Sequence, residues 1–446
     1  MPIPPILANA GSPNGEIPLW LSAPFALLLL LIAVMPLASL HLRHWWERYY
    51  PGVSIGLGLS VAAYYLAVVP GGGAAVGHTL SDYASFLCLT GSLFVVAGGI
   101  HLSVRDDAAP LTKVAFLAVG ALAANLIGTT GASMVLIRPW LRLNRSRPGP
   151  HQVVFFIFLV SNVGGALTPV GAPLFLGYLR GMPFFWLTGR VLGPWLVTVG
   201  LLLAAFYVMD SRWGRTEPTT TAEPGETEAA WGLEGKGNLF LLAVVVGALF
   251  LPGRFFLREA VMLGAAVFSW YATPRRVHVA NAFTFGPIRE VALLFAGIFL
   301  TLLPALGYVD GHGGGLGVKK PIDYYFAAGG LSAVLDNAPT YVSFLRLAEA
   351  TAREEHPADF PAGDADEVAV LKVLRQTPAD ALRLIAISLG AVFFGAMTYI
   401  GNGPNFMVKS IAHDAGAPGP TFFGFIFKFS LPILLPILGL VGWLFL

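Results

Sequence analysis

Charge is what this chain has least of. Asp, Glu, Lys and Arg make up 12% of its 446 residues, about half the share of an ordinary soluble domain, which excludes a solvated globular surface. The single cysteine, Cys88, sits in an apolar stretch. A disulfide framework and a thiolate metal site are therefore excluded, and Cys88 reads as a small packing residue. The formal net charge is only +2 and no basic block stands out, so nothing in the chain is built to hold nucleic acid. Residues 1–18 contain no basic leader, so a cleavable signal peptide is not expected and the first apolar run is read as a retained helix. There is no His-Glu-x-x-His run and no second acid to face a central aspartate, which leaves the intramembrane metalloprotease and aspartyl protease chemistries without their residues. No cofactor is expected.

Apolar residues, by contrast, make up 56% of the chain. Many runs reach the roughly 20 residues that cross a bilayer core. The fold class expected is an all-α polytopic membrane protein, with the lipid bilayer as its partner. Full spans are expected at about 18–40, 52–70, 82–102, 151–178, 184–209, 237–252, 256–273, 288–308, 380–412 and 421–445. Two further stretches, about 112–141 and 322–348, are too long for one helix and carry small, polar or Pro residues at mid-length. They read as re-entrant hairpins. Irregular backbone of this kind is tolerated at membrane depth only against protein or a watery cavity.

A run of Gly-Ala-x-Thr-x-x-Gly occurs twice, at 165–171 and at 395–401. Each copy interrupts an apolar span, and each follows an interrupted hairpin. The hairpin tips read Gly128-Thr129-Thr130-Gly131 in the first half and Asp336-Asn337-Ala338-Pro339-Thr340 in the second. Paired broken segments in matching positions of two halves mark the binding site of a secondary transporter. The stretch 210–236, rich in Thr, Pro, Glu and Gly, reads as a solvated cytoplasmic linker. It separates a first repeat (1–209) from a second (237–446), each with five spans and one hairpin. An odd span count inverts the second repeat relative to the first.

With the N-terminus outside, Arg43, Arg48, Arg138, Arg142, Arg145, Arg147, Arg212, Arg215, Arg275, Arg276 and Arg289 all fall on the cytoplasmic side, and an outer loop at about 71–81 has no basic residue. Lys319 and Lys320 run against this pattern.

The candidate site follows from the interruptions. Asp336 is placed at the second hairpin tip, where a carboxylate costs a few kcal/mol unless it is paired, protonated or bound to a cation. Asn337 and Thr340 add oxygens beside it. The first broken helix contributes Ser161, Asn162, Gly165 and Thr168, and the second contributes Thr398, Asn402 and Asn405. Thr129 and Thr130 at the first hairpin tip offer neutral groups only. Asp336, Asn162 and Asn402 are the expected oxygen ligands of a transported Na⁺, a hard cation, with H⁺ competing at Asp336. The plainer alternatives are that Asp336 caps a helix start, that the glycines permit close helix packing, and that the threonines bond within their own helices.

The same residues resemble the ion transporter superfamily, which holds NhaD-type sodium/proton antiporters, arsenite permeases and citrate or dicarboxylate carriers. The similarity runs from about 50 to 440. It is carried by Ser161-Asn162-Val163-Gly164-Gly165, Thr168-Pro169-Val170-Gly171 and Asp336-Asn337-Ala338-Pro339, which are most similar to NhaD-type and citrate-transporter members. The resemblance implies a scaffold part and a transport part that moves elevator-fashion, and a homodimer in a bacterial inner membrane. It gives the second-hairpin role to Asp336 and Asn337, and the first broken-helix role to Asn162 and Thr168. The chain departs from the NhaD pattern in lacking an acid at the first hairpin. It departs from the dicarboxylate pattern in having Val163 after Ser161-Asn162. The expected function is sodium/proton antiport around Asp336. The alternative is cation-coupled transport of citrate, another carboxylate or arsenite.

Overall fold

The computed structural model describes residues 18–35, 40–103, 109–168, 182–183, 185–216, 232–251, 256–281, 283–312, 317–360 and 367–446. The described chain is almost wholly helical. Its only strands are β1 (His101–Ser103) and β2 (Gly232–Glu234), a short antiparallel pair that sets His101 opposite Glu234. Eight helical segments among the described residues are long and apolar enough to cross a membrane. They are Arg48–Val68, Gly72–Gly98, Pro110–Leu143, Pro150–Leu167, Thr188–Gly214, Gly286–Ala305, Pro378–Met397 and Phe422–Phe445. The protein is an all-α polytopic membrane protein.

The chain forms two compact units. One comprises residues 1–90 and 285–317, the other 91–284 and 318–446. The first unit contains α1 (Ala23–Val34), α2 (Leu40–Val68), most of α3 (Gly72–Gly98) and, from the second sequence half, the long helix Gly286–His312. Small residues let α2 and this long helix approach closely. Gly58 lies against Leu300, Gly297 leaves no room for a Cβ beside the Ser54 backbone, and Ser54 Oγ donates to the Leu294 carbonyl at 2.9 Å. Phe86 stacks on Phe295 at 5.1 Å between centroids. This is packing by close backbone approach, which replaces the hydrophobic drive that lipid cannot supply.

The second unit carries both hairpins and both helix breaks. In chain order its remaining helices are α4 (Pro110–Leu143), α5 (Pro150–Leu159), α6 (Thr188–Thr216), α7 (Gly237–Ala248), α8 (Leu257–Ala272) and α9 (Arg275–Ala280). With Gly286–His312 numbered α10, there follow α11 (Pro321–Ser332), α12 (Asn337–Glu355), α13 (Glu367–Gln376), α14 (Pro378–Phe394), α15 (Gly403–Asp414) and α16 (Phe422–Phe445).

Both stretches expected as hairpins fold back on themselves near mid-length. α4 folds at Gly128, whose φ of 75° and ψ of 159° are non-helical, a region open essentially to glycine alone. The fold brings Phe116 to within 5.6 Å of Trp140 between ring centroids, although 24 positions separate them. A straight helix would hold them about 36 Å apart. α11 and α12 form the second hairpin around residues 333–336, closed by a 2.8 Å hydrogen bond between the hydroxyls of Tyr324 and Thr351. Bulky Tyr325 and Phe394 pack edge to face at 5.1 Å where α11 meets α14.

Several boundaries differ from expectation. The outer loop expected at 71–81 is helical, because α3 begins at Gly72 and the turn is confined to the residues around Gly71, where φ is 74°. Arg48 lies inside α2 rather than in a loop. The expected spans at 237–252 and 256–273 are helices of 12 and 16 residues, short of the usual crossing length. Asp210, placed at the start of the linker, is buried in α6, which runs on to Thr216; residues 217–231 lie outside the described residues. In the charged stretch 351–378, α13 buries Val370, Leu371 and Leu374, as its amphipathic pattern requires.

Candidate ion site at the helix breaks

The first broken helix leaves α-helical geometry after Leu159. It turns through Val160–Asn162 and continues as a 3₁₀ turn, Val163–Leu167. Its motif is described as far as Thr168; Pro169, Val170 and Gly171 lie outside the described residues. The second break is described on both sides. α14 ends at Phe394, a 3₁₀ turn spans Gly395–Met397, and α15 starts at Gly403 with Pro404 in its first turn. Proline there fits the vacant donor positions of a helix start.

Each broken helix leaves carbonyls without helical partners, and buried asparagines supply the missing donors. Asn162 Nδ2 donates to Ile157 O at 2.9 Å, and Asn405 Nδ2 donates to Gly395 O at 2.8 Å and Thr398 O at 3.0 Å. The two breaks are also joined. Asn162 Nδ2 donates to Asn405 Oδ1 at 2.7 Å, and Asn402 Nδ2 reaches Asn162 Oδ1 at 3.1 Å and Ser161 O at 3.0 Å. The Asn337 amide is oriented by its surroundings. Its nitrogen donates to Ala391 O at 2.9 Å and Gly401 O at 3.2 Å, and its oxygen accepts from Asn402 Nδ2 at 3.2 Å. All four asparagines are at most 2% exposed.

The two motif threonines act alike. Thr168 Oγ1 donates to Asn125 O in the first hairpin, and Thr398 Oγ1 donates to Ala333 O in the second, each at 2.6 Å. The motif glycines also correspond. A Cβ at Gly165 would strike Thr129, and one at Gly395 would strike Asn337, so each break presses on the hairpin tip of its own half. Ser161 Oγ is 2.8 Å from Ser133 Oγ on the first hairpin.

Asp336 lies just before α12, at the capping position, yet its carboxylate reaches elsewhere. Its Oδ2 accepts from Gly403 N, the first residue of α15, at 3.2 Å. The acid therefore sits at the positive end of a half-helix in the second broken segment. Thr340 Oγ1 donates to the Asp336 carbonyl within its own helix at 3.1 Å, the local bond that threonines commonly make. Thr129 is buried.

Asp336, Asn337, Ser161, Asn162, Gly165, Thr168, Thr398, Asn402 and Asn405 thus gather where hairpins and breaks meet. The asparagines and threonines hold the irregular backbone there, which leaves the Asp336 carboxylate as the acidic oxygen donor of the cluster. Among the described residues no three His, Cys, Asp or Glu side chains converge as a resident metal site.

Sequence reasoning passed over two ionic clusters in this unit, one buried and one reaching the surface at Glu355. Asp210 accepts from Lys113 Nζ at 3.2 Å, lies 3.0 Å from His151 Nε2 and accepts from Gln152 Nε2 at 3.3 Å, pinning the starts of α4 and α5 to α6. Arg383 on α14 grips Glu355 through both carboxylate oxygens at 2.8 Å and donates to Asp380 at 2.7 Å, tying α12 to the foot of the second broken helix. Their signal in the sequence was faint, because apart from Asp380 and Arg383, three positions apart, the partners lie 28 to 97 positions apart. Ser332 was missed as well; its hydroxyl donates to Ala391 O at 2.6 Å.

No curated protein matches the chain. A family model described as "Putative citrate transport" (CitMHS_2) matches residues 14–446. The match covers nearly the whole chain, hairpins and breaks included, and the protein belongs to this family.

Proposed function

We propose that this protein is a secondary transporter that exchanges Na⁺ for H⁺ at Asp336. The observation that carries the reading is the position of that carboxylate, within the second unit and at the N-terminus of half-helix α15. A carboxylate at membrane depth is costly unless its charge is offset, and the helix N-terminus contributes part of that offset. A proton and a sodium ion compete for the same carboxylate oxygens, and the two exclude each other. The unit carrying the hairpins then crosses only with Asp336 occupied, which makes the exchange obligatory. Asn162 and Asn402, bonded to each other at 3.1 Å, are the neutral oxygen ligands of this proposal. The residue division into two repeats about the 210–236 stretch, the N-out orientation, the bacterial inner membrane and the homodimer belong to the same proposal. The two compact units fit the scaffold and transport parts that the resemblance implies.

Citrate transport is the second reading, favoured by the family match. The gathered site residues include no cationic side chain, so citrate would be met by helix N-termini and by a cation held at Asp336. Both readings are tested by following proton movement in vesicles with an imposed pH gradient, adding Na⁺, Li⁺, K⁺, citrate and arsenite in turn. Dissipation by Na⁺ or Li⁺ that Asp336→Asn removes supports antiport; full activity in that variant sinks it. A response to citrate or arsenite alone moves Asp336 to the role of coupling-ion ligand.

A further inference from the structure

Arg138 lies on the returning arm of the first hairpin, ten residues past the turn at Gly128, about 15 Å along the helix. It is 9% exposed, and its buried Nη1 has no hydrogen-bond partner among the described residues. The guanidinium is instead wedged against two rings, with Cζ 5.6 Å from the Phe94 centroid and 5.7 Å from that of Phe283. Cation–π contact offsets part of the desolvation of a guanidinium, but it satisfies none of the five N–H donors.

The surroundings add positive charge. Arg142, one turn further on, is held in place by Leu102 O at 3.0 Å and by Ala280 O and Asn281 Oδ1 at 3.1 and 2.9 Å. His278 packs against Trp270 at 4.8 Å and Phe283 at 5.4 Å, and its buried ring nitrogens face the Trp270 and Gly98 backbone without a well-formed hydrogen bond to either. Burial, with a smaller contribution from the charge on Arg138, holds the His278 imidazole below its usual range against the raising effect of the Trp270 and Gly98 backbone. The result is a buried cationic cluster flanked by aromatic rings. Its orphan donors call for acceptors, since a buried donor left unmade costs about 1–3 kcal/mol and more when charged.

We propose that Arg138 and His278, walled by Phe94 and Phe283, form an oxyanion-binding site separate from the Asp336 cluster, taking a carboxylate or phosphate group. A guanidinium fork matches either group with two parallel hydrogen bonds. The oxyanion comes from a free solute or from the headgroup of an anionic lipid, since basic pockets between membrane helices hold such headgroups.

The test is thermal unfolding of the purified, delipidated full chain in neutral detergent, followed by tryptophan fluorescence. One arm adds citrate or phosphate against chloride at constant ionic strength. The other compares bilayer discs of phosphatidylcholine with and without phosphatidylglycerol. The wild type is expected to gain stability in at least one arm, and the responding arm identifies the source. Arg138→Gln should need at least about tenfold more anion, or lose the lipid response, as fits losing a bidentate charge-assisted contact. Asp336→Asn should keep the wild-type response. Arg138→Met serves as a second variant: without anion it should unfold no lower than the wild type, because an unpaired buried charge has been replaced by an apolar chain of similar length. The proposal is overturned if the wild type responds in neither arm, if Arg138→Gln responds like the wild type, if Asp336→Asn loses the response, or if Arg138→Met is destabilised without anion.

Discussion

Asn162 donates its side-chain N–H to Asn405 Oδ1 at 2.7 Å, joining the break in one half of the chain to the break in the other across 243 positions. Both side chains are fully buried, and each also serves a carbonyl left open by its own broken helix. Truncating either should therefore strand buried acceptors as well as remove a contact. Asn162→Ala and Asn405→Ala are each expected to cost about 1–3 kcal/mol. The double variant should cost less than the sum by about 0.5 kcal/mol or more. Unfolding of the four proteins in one detergent closes the cycle, and strict additivity would argue against the coupling.

Gly128 turns the first hairpin in backbone geometry that a side chain strains. Gly128→Ala should destabilise by roughly 1–3 kcal/mol, whereas Gly200→Ala, at a helical position with open space around its Cα, should be neutral or mildly stabilising. Melting temperatures of the two variants make the comparison.

Thr168 and Thr398 fasten each break to its hairpin through the hydroxyl alone. Valine keeps the shape and loses that bond, about 1 kcal/mol or roughly fivefold in an equilibrium, and at Thr398 it also leaves the Ile400 and Gly401 N–H groups without the hydroxyl they donate to. Transport should fall by about that factor in Thr168→Val, by more in Thr398→Val, and recover with serine in both. Initial rates in vesicles normalised to protein content measure it; a valine variant at full rate removes the threonines from the site.

The Arg383 grip on Glu355 gives a pH dependence of known sign. Its bidentate hydrogen bonds hold the Glu355 carboxyl below the usual range. A depressed carboxylate contributes stability that is fully present above the unfolded value, about 4.3, and is lost as pH falls through the folded one. The melting-temperature gap between wild type and Glu355→Gln should be constant from pH 7 to 5 and close below about pH 4. The gap should be modest, because Glu355 is about one-third exposed. A gap that persists at the acid end would assign the effect to packing.

The architecture was legible where it depended on composition and interruption. Long apolar runs marked most spans, and Gly128, Asp336 and the repeated glycine-threonine motif marked the points where helices fail. What the sequence hid was pairing. Nothing near Asn162 in the chain points to Asn405, and nothing near Lys113 points to Asp210, because such partners are chosen by tertiary packing. Asp336 is the instructive case. Its position before α12 reads as a local cap, yet its oxygen serves the start of α15, 67 positions away. The helix ends were misjudged where a polar face continued a helix beyond its apolar part, as at Leu40–Arg48 and at Asp210–Thr216.

The first hairpin turns at Gly128 with neutral neighbours, whereas the second turns beside Asp336, so the two halves bring one acid to their junction. Under the proposed exchange, that acid crosses in one direction neutralised by sodium and in the other neutralised by a proton. No net charge moves in a cycle, so the membrane voltage exerts no pull on it. Such a carrier would be driven by concentration differences alone and would run equally well across a depolarised membrane.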